Sequence, residues 1–354
     1  MVNSNKILTI SIAAYQVEET LADTLESLLD LDSEMLEDIE ILIVNDGSKD
    51  KTAKVAEEFE KKYPSSVRLI NKENGGHGST INKGIEEAKG IYFKTIDGDD
   101  WVDKEGYIEL INYLKDKKED VVDIVCTPYD LIEYGTRKKL EKIEQKINNV
   151  QYRKIYKFTD ICDDIYILMH SMTYSTKLLK EHPPKLDEHC FYVDAEYVLL
   201  PIPYVETIAF LKKSVYQYQL GSEGQSMNPL NMQKNCAHHE KVLNRVLELC
   251  RQQELEIKSA DISDKKHLKE LKAKYRYIIK GAVKLVNVQH RIYLSYKPKH
   301  NVLQKIKLLN KKIKAEYTYV YKANDNKAVT CLRACPGIIY IPAAYALRWK
   351  LGMR

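Results

Sequence analysis

The sequence predicts an α/β fold, with a mostly parallel sheet flanked by helices, over roughly the first 130 residues. Apolar runs that indicate strands alternate there with helical stretches of about ten to fifteen residues, which is typical of βαβ units. Polar side chains gather directly after several of these runs. Ligands of open α/β sheets bind beyond the carboxyl ends of the strands. We therefore expect a binding site along one edge of the sheet.

The first elements alternate in this way. The apolar run Ile7–Ala14 predicts a strand. Glu18–Leu31 predicts a helix because its leucines recur at helical spacing. A second apolar strand, Ile39–Val44, ends at Asn45-Asp46-Gly47, which is a strong turn signal.

The later elements of this half continue the alternation and carry capping signals. They are helix Lys51–Tyr63, strand Val67–Asn71, helix Ser79–Ala88, strand Ile91–Ile96, helix Lys104–Lys117 and strand Val121–Thr127. In the helix Ser79–Ala88, Ser79 or Thr80 would cap the start and Gly90 would close the end. Residues 135–230 are less periodic, apart from a strand at Ser214–Leu220, and long charged helices are expected at 236–253, 264–288 and 301–315.

Charge divides the chain into two dissimilar parts. The net charge of the 354 residues is only +4. Residues 1–230 hold 28 Lys+Arg against 42 Asp+Glu, whereas residues 231–354 hold 27 against 9. The 44% hydrophobic and 30% charged composition is that of a globular protein, so disorder is excluded. Two oppositely charged parts suggest two tasks.

The remaining composition favours a cytoplasmic protein. The N-terminus leads straight into a strand and resembles no signal peptide, and no run of 18 apolar residues occurs. The seven cysteines are scattered, odd in number and without Cys-x-x-Cys pairs. We expect free buried thiols rather than a zinc site or a disulfide framework.

A cluster of carboxylates follows the strand Ile91–Ile96. Asp97, Asp99 and Asp100 lie within four positions, where their mutual repulsion calls for a cation or a raised pKa. Hard oxygen ligands favour Mg²⁺ or Mn²⁺. The alternative is an acidic loop that only caps the helix starting near Asp103.

Polar residues at the other strand ends complete a pattern that suits a nucleotide. Tyr15 follows the first strand, Asp46 the second, and the loop Asn74-Gly75-Gly76-His77-Gly78 the third. They offer an aromatic ring for stacking, a carboxylate for base or ribose, and a flexible loop near phosphate. The loop matches neither Gly-x-Gly-x-x-Gly nor Gly-x-x-x-x-Gly-Lys-Ser/Thr, which disfavours dinucleotide oxidoreductases and P-loop NTPases.

These motifs resemble family 2 glycosyltransferases, which are inverting enzymes with the Rossmann-like GT-A fold. The segments that carry the resemblance are Ser11–Tyr15, Val44–Asp50, Asn74–Gly76 and Ile96–Asp100. The resemblance is close over residues 6–130 and extends to about residue 228. It departs at Ala13-Ala14, where the family usually has a proline, and at Gln16, where an asparagine is common.

The resemblance implies transfer of a sugar from a nucleotide-sugar, with UDP-sugars favoured, to a hydroxyl of a carbohydrate or lipid-linked acceptor. It implies that Tyr15 flanks the uracil and that Asp46 accepts a hydrogen bond from the base. Asp97 would face the ribose. Asp99, helped by Asp100, would bind Mn²⁺ or Mg²⁺. Synthesis of cell-surface polysaccharide or glycoconjugate is the expected setting.

The general base is expected in the acidic segment Phe191–Tyr197. The resemblance points to Asp194, with Glu196 and Glu188 as substitutes, and the alternative for Asp194 is a favourable charge at a helix N-terminus. Five further residues are candidates for the donor site: Gly76, His77, Lys83 and, in the loop 221–227, Gln225 with Ser226. For the histidine, the lysine and the loop, a solvated surface position is an equally good interpretation.

The resemblance divides the chain into a GT-A catalytic domain at 1–228 and a basic helical C-terminal region at 229–354. Residues 1–130 would bind the nucleotide-sugar, and 131–228 the acceptor. For the basic region, one expectation is an anionic membrane surface, which would attach the protein peripherally to the inner face of the cell membrane. The alternative is that its helices pack on the catalytic domain and its end forms a homo-oligomer contact; nucleic acid is disfavoured. Two other functions remain open: a sugar nucleotidyltransferase and a non-catalytic nucleotide-sugar-binding scaffold.

Overall fold

The computed structural model describes residues 6–147, 150–221 and 228–353. The chain divides into two compact units, Met1–Ser222 and Glu223–Arg354. All seven cysteines are free, and five of them are buried, as the sequence predicts for most of them; Cys331 and Cys335 are exposed.

The first unit contains two sheets. Its strands are β1 (Leu8–Ala14), β2 (Ile39–Asn45), β3 (Val67–Asn71), β4 (Tyr92–Asp97), β5 (Trp101–Val102), β6 (Ile124–Cys126), β7 (Tyr129–Glu133), β8 (Lys139–Ile143), β9 (Ile155–Lys157), β10 (Met172–Ser175), β11 (Thr207–Phe210) and β12 (Tyr216–Leu220). The large sheet has the order β3-β2-β1-β4-β10-β6-β11-β9, and the small sheet has the order β5-β12-β7-β8.

The parallel part of the large sheet is β3-β2-β1-β4. Every residue of β2 is buried, as expected for a strand covered by helices on both faces. Beyond β4 the sheet is mixed, because β10 pairs antiparallel with both β4 and β6. The strand predicted at 121–127 therefore does not join β4 directly.

Helices cover this sheet at nearly the predicted positions. They are α1 (Leu21–Leu29), α2 (Ser33–Asp38), α3 (Thr52–Lys62), α4 (His77–Glu87), α5 (Lys104–Asp116), α6 (Phe158–Ile161), α7 (Thr176–Glu181) and α8 (Asp194–Leu199). The expected caps of α4 were wrong. Gly76, at a φ of 82°, is its N-cap, and the hydroxyls of Ser79 and Thr80 bond back to carbonyls within the first turn. The Asp103 side chain caps α5 by accepting from Gly106 N.

The second unit consists of helices in its described part. They are α9 (Pro229–Lys234), α10 (Cys236–Ser259), α11 (Lys265–Ser295), α12 (His300–Glu316), α13 (Thr318–Ala323), α14 (Lys327–Ala334) and α15 (Pro336–Lys350). One apolar core of this unit includes Ile292, Ile306, Leu332 and Ala344. Within the described ranges, no helix is both long and apolar enough to cross a bilayer.

Candidate active site

The predicted site residues lie at the carboxyl ends of the parallel strands. Ala14 at the end of β1 pairs with Asn45 at the end of β2, and Ala13 pairs with Asp97 at the end of β4. The loops that leave these strands therefore start side by side. The sequence prediction of a shared edge is confirmed.

Asp46 organises the glycine-rich loop. Its carboxylate is 2% exposed and accepts from the backbone N–H of Gly75 at 2.9 Å and of Gly76 at 2.8 Å. Lys72 Nζ lies 2.7 Å from Oδ1, and Asn74 Nδ2 lies 3.0 Å from Oδ2. Both oxygens are thus engaged within the loop, whereas the resemblance assigns this carboxylate to a nucleotide base.

The rest of the Asn45–Asp50 motif holds the loop that carries Tyr15. Ser48 Oγ accepts from Gln16 N at 3.0 Å, and Asp50 Oδ2 accepts from Glu18 N at 3.2 Å. Gln16 has a φ of 53°, a left-handed conformation that asparagine adopts more readily than most residues. The Tyr15 side chain is 47% exposed, so its ring is free to meet a ligand.

An ion pair joins the glycine loop to the carboxylate cluster. His77 Nε2 lies 3.0 Å from Asp97 Oδ1. Burial opposes the charged imidazole, but the Asp97 carboxylate, with Asp194 and Asp99, outweighs it and raises the pKa of His77. Burial likewise opposes the charged form of Asp97, and His77 reverses this effect and lowers the pKa of Asp97. Three predicted carboxylates thus interact electrostatically with one imidazole.

Asp99 and Asp100 have different surroundings. Asp99 is exposed, and limited solvation together with the Asp97 charge raises its pKa to about 6. Asp100 is 2% exposed and accepts from Tyr216 Oη at 2.7 Å and from Gln219 N at 2.8 Å. Asp100 therefore anchors the carboxylate loop to β12, and Asp99 presents its carboxylate to solvent.

Asp194 reaches the site through a segment that packs on α4. Asn82 exchanges two hydrogen bonds with the backbone of Leu186, at 2.9 and 2.8 Å. A β-carbon at Gly78 would overlap the Asp187 carbonyl, so only glycine permits this approach. Three non-glycine residues of the segment have positive φ: Lys185 (46°), His189 (49°) and Tyr192 (69°). Such strain is concentrated at functional sites.

Asp194 of this segment interacts electrostatically with the cluster. It is exposed, yet the surrounding protein limits its solvation and raises its pKa, while His77 acts in the opposite direction. Glu196 is fully buried, and its Oε2 accepts from Asp187 N at 2.8 Å. Glu188 is exposed.

The remaining predicted donor-site residues are Lys83, Gln225 and Ser226. The ammonium group of Lys83 pairs with Glu86 at 3.1 Å and Glu87 at 2.9 Å on its own helix. Gln225 and Ser226 lie outside the described residues. In the described part of the chain, no group of three or more His, Cys, Asp or Glu side chains is arranged to hold a metal ion.

Sequence reasoning missed the layer beneath the carboxylates. Tyr216 Oη accepts from Asp97 N at 3.1 Å and donates to Asp100, so one tyrosine holds the backbone of Asp97 and the carboxylate of Asp100. The His170 ring packs 4.9 Å from the Tyr216 ring and 4.4 Å from the Tyr218 ring, between centroids. Lys94, also buried, donates to the carbonyls of residues 170 and 172 at 2.8 and 3.2 Å. The alternating Tyr-Gln-Tyr-Gln of β12 is the sequence signal that could have indicated this layer.

The fold and this edge define a GT-A domain. A crystal structure of S. aureus TarS 1–349 in complex with UDP-GlcNAc superimposes with a TM-score of 0.62 at 18% identity, covering 98% of this chain and 92% of that one. Residues 9–182 match the family model for glycosyl transferase family 2. Residues 9–182 therefore belong to this family.

Curated relatives are bacterial. The minor teichoic acid biosynthesis protein GgaB of Bacillus subtilis is 27% identical over 66% of this chain and 25% of its own length. The uncharacterized glycosyltransferase EpsJ of the same species is 34% identical over 33% of each chain. A poly(ribitol-phosphate) beta-glucosyltransferase of Bacillus spizizenii is 32% identical over 32% of this chain and 18% of its own length. The chain thus spans a third or less of these relatives.

Proposed function

We propose that the chain is a metal-dependent, inverting glycosyltransferase that moves a sugar from a UDP-sugar to a hydroxyl acceptor in cell-surface polysaccharide synthesis. The observation that carries this proposal is the meeting of His77 with Asp97, at the end of β4, and with Asp99 and Asp194. The family, the UDP-GlcNAc complex of the S. aureus TarS structure and the teichoic acid names of the relatives support it.

The chemistry of the site fits a divalent cation. Three carboxylates face a single imidazole, and limited solvation, with a smaller effect of the Asp97 charge, raises the pKa values of Asp99 and Asp194. Carboxylate oxygens suit Mg²⁺ or Mn²⁺, which commonly use one or two carboxylates and take further oxygens from substrate phosphates. Asp99 and Asp97 would hold the ion. When bound, the ion would offset the charge of the departing diphosphate.

The residues of the chain would divide the remaining tasks. Tyr15, exposed at the end of β1, would cover the uracil. Asp46 would act through the glycine loop, whose backbone it fixes. Asp194 would remove the proton of the acceptor hydroxyl as its oxygen attacks the anomeric carbon and the bond to the diphosphate breaks. One displacement of this kind inverts the anomeric centre.

The decisive experiment compares carboxylate variants with a matched control. UDP release from a panel of UDP-sugars, including UDP-GlcNAc, is measured with Mn²⁺ for wild type, Asp194→Asn, Asp99→Asn and Glu188→Gln. General-base removal should lower turnover by about 10²–10⁴-fold while leaving UDP affinity unchanged. Glu188→Gln, which changes an exposed carboxylate of the same segment, should remain active. An Asp194→Asn protein with wild-type turnover would sink the proposal.

We also propose that the helical unit contacts an anionic bilayer through α15. Ile338, Ile341, Tyr345 and Trp349 are between 52% and 85% exposed. Their spacing of three or four residues places them on one face of the helix, opposite the buried Tyr340. An apolar stripe with tyrosine and tryptophan, on a unit rich in Lys and Arg, suits an interfacial position on anionic lipid.

Vesicle sedimentation tests this contact. Wild type should bind phosphatidylglycerol vesicles more strongly than phosphatidylcholine vesicles, and Ile341→Ser with Trp349→Ser should abolish the difference. Leu255→Ser, which alters an exposed leucine of α10, is the control. If the double variant instead converts a dimer to a monomer and leaves vesicle binding intact, the stripe is an oligomer contact.

A further inference from the structure

The helical unit contains a large cavity that the transfer chemistry does not use. Its volume is about 830 Å³, and it is lined by residues of α9, the C-terminal end of α11, the start of α12 and the end of α15. Cavities of about 300–1,000 Å³ are the size that binds small organic ligands. All of its lining residues belong to the second unit.

The charge of this cavity has one sign. Lys297, Lys299, Lys305 and Arg348 line it, and its described lining includes no carboxylate. Lys305 has an acidic neighbour, Glu240, at 3.5 Å. In the described part of the chain, the ammonium groups of Lys297 and Lys299 have no carboxylate partner. Cations crowded around a concave surface favour an anion there.

Hydrogen bonds hold Arg348 and the backbone at Lys299 beside the cavity. Arg348 is 6% exposed, and its Nη1 donates to Ser295 O at 2.7 Å. Lys299 N donates to Tyr340 Oη at 3.0 Å, and this hydroxyl donates in turn to Lys299 O. The backbone at Lys299 is therefore fixed, while the side chains of Lys297, Lys299 and Lys305 are exposed and can turn toward an anion in the cavity.

We propose that this cavity binds a phosphate ester with an organic substituent. Three lysines and a planar guanidinium suit the oxygens of a phosphate group. The remaining wall, which includes Leu230, Val302 and Leu351, would contact the organic part. A polyol-phosphate chain and a phospholipid headgroup share this chemistry. The assignment is independent of the transferase proposal, because it rests on residues outside the catalytic unit.

The test uses the full chain and three probes. Binding of glycerophosphoglycerol, of short-chain phosphatidylglycerol below its micelle concentration, and of inorganic phosphate is measured by calorimetry. Lys297→Gln with Lys299→Gln should weaken binding of the esters at least tenfold. Lys307→Gln with Lys311→Gln removes the same charge from exposed positions of α12 outside the cavity lining and should change affinity less than twofold.

The outcomes separate the sources and can overturn the inference. Tighter binding of glycerophosphoglycerol identifies a soluble polyol phosphate, and tighter binding of phosphatidylglycerol identifies a lipid headgroup. Equal weakening in both double variants would mean general electrostatic attraction, which overturns the proposal. Inorganic phosphate binding as tightly as either ester, or no ester binding at millimolar concentration, would also overturn it. An inactive Asp194→Asn protein would give the same binding results, so failure of the transferase proposal and failure of this one can be told apart.

Discussion

Lys94 makes the stability of the catalytic unit depend on pH. This lysine is fully buried three residues before Asp97, and its ammonium group donates to two backbone carbonyls and lies 5.8 Å from the centre of the Tyr216 ring. Burial lowers its pKa from 10.5 to about 7. The folded state therefore releases a proton that the unfolded state keeps at alkaline pH.

The size of the effect follows from linkage. Between pH 7 and pH 10.5 the unfolded chain binds more protons at this lysine, so the free energy of unfolding rises with pH. Each pKa unit corresponds to about 1.4 kcal/mol, which gives up to roughly 5 kcal/mol over the whole window. Below pH 7 both states are protonated at Lys94 and this contribution is constant.

Urea unfolding of wild type and Lys94→Met at pH 7 and pH 9 measures this contribution of Lys94 to the free energy of unfolding. Wild type should gain about 2 kcal/mol more than the variant between these two values, since folded-state Lys94 is half deprotonated at pH 7 and almost fully deprotonated at pH 9. Lys177→Met, at a lysine whose side chain is 79% exposed, should behave as wild type. Equal pH dependence in Lys94→Met and wild type would refute the reasoning.

Three other substitutions have defined outcomes. Tyr216→Phe leaves buried Asp100 without its 2.7 Å donor. The free energy of unfolding in urea should fall by about 1–3 kcal/mol, and Mn²⁺ binding should weaken. Unchanged values would contradict the anchoring role of Tyr216. Asp46→Asn turns an amide toward the loop N–H groups. UDP affinity should therefore fall, and the free energy of unfolding should fall by about 3 kcal/mol. At Gly106 a β-carbon would overlap the Ser214 carbonyl, so Gly106→Ala should lower the free energy of unfolding by about 3 kcal/mol. Gly337 has open space around it and serves as the control. Gly337→Ala should be neutral or stabilising by about 0.5 kcal/mol.

Local signals predicted the parallel half of the fold well. Strands such as β2, buried along its whole length, are apolar runs bounded by turns, and the long helices of the second unit have clear periodicity. The start of α4 was misplaced because a glycine at positive φ, rather than a hydroxyl, ends the preceding loop. The insertion of β10 between β4 and β6 depends on pairing between distant segments, which no local pattern encodes.

The site was predictable where its residues follow strands. Asp97 and Asp99 could be found in this way because strand ends converge in a parallel sheet. The separate orientation of Asp100 could not, since it depends on Tyr216, which is 116 positions away. Lys94 was also missed, because a lysine inside an apolar strand gives no sign that backbone carbonyls will receive its ammonium group.

The hydrogen bonds of the Asn45–Asp50 motif have a consequence for how relatives of this chain are sorted. Asp46, Ser48 and Asp50 bind loops of their own chain. Selection for a stable fold alone would therefore preserve these three residue types. A descendant that had lost turnover could therefore keep them and still match the family. Under the proposed mechanism, Asp99 and Asp194, which are exposed, are the positions at which an inactive copy should differ.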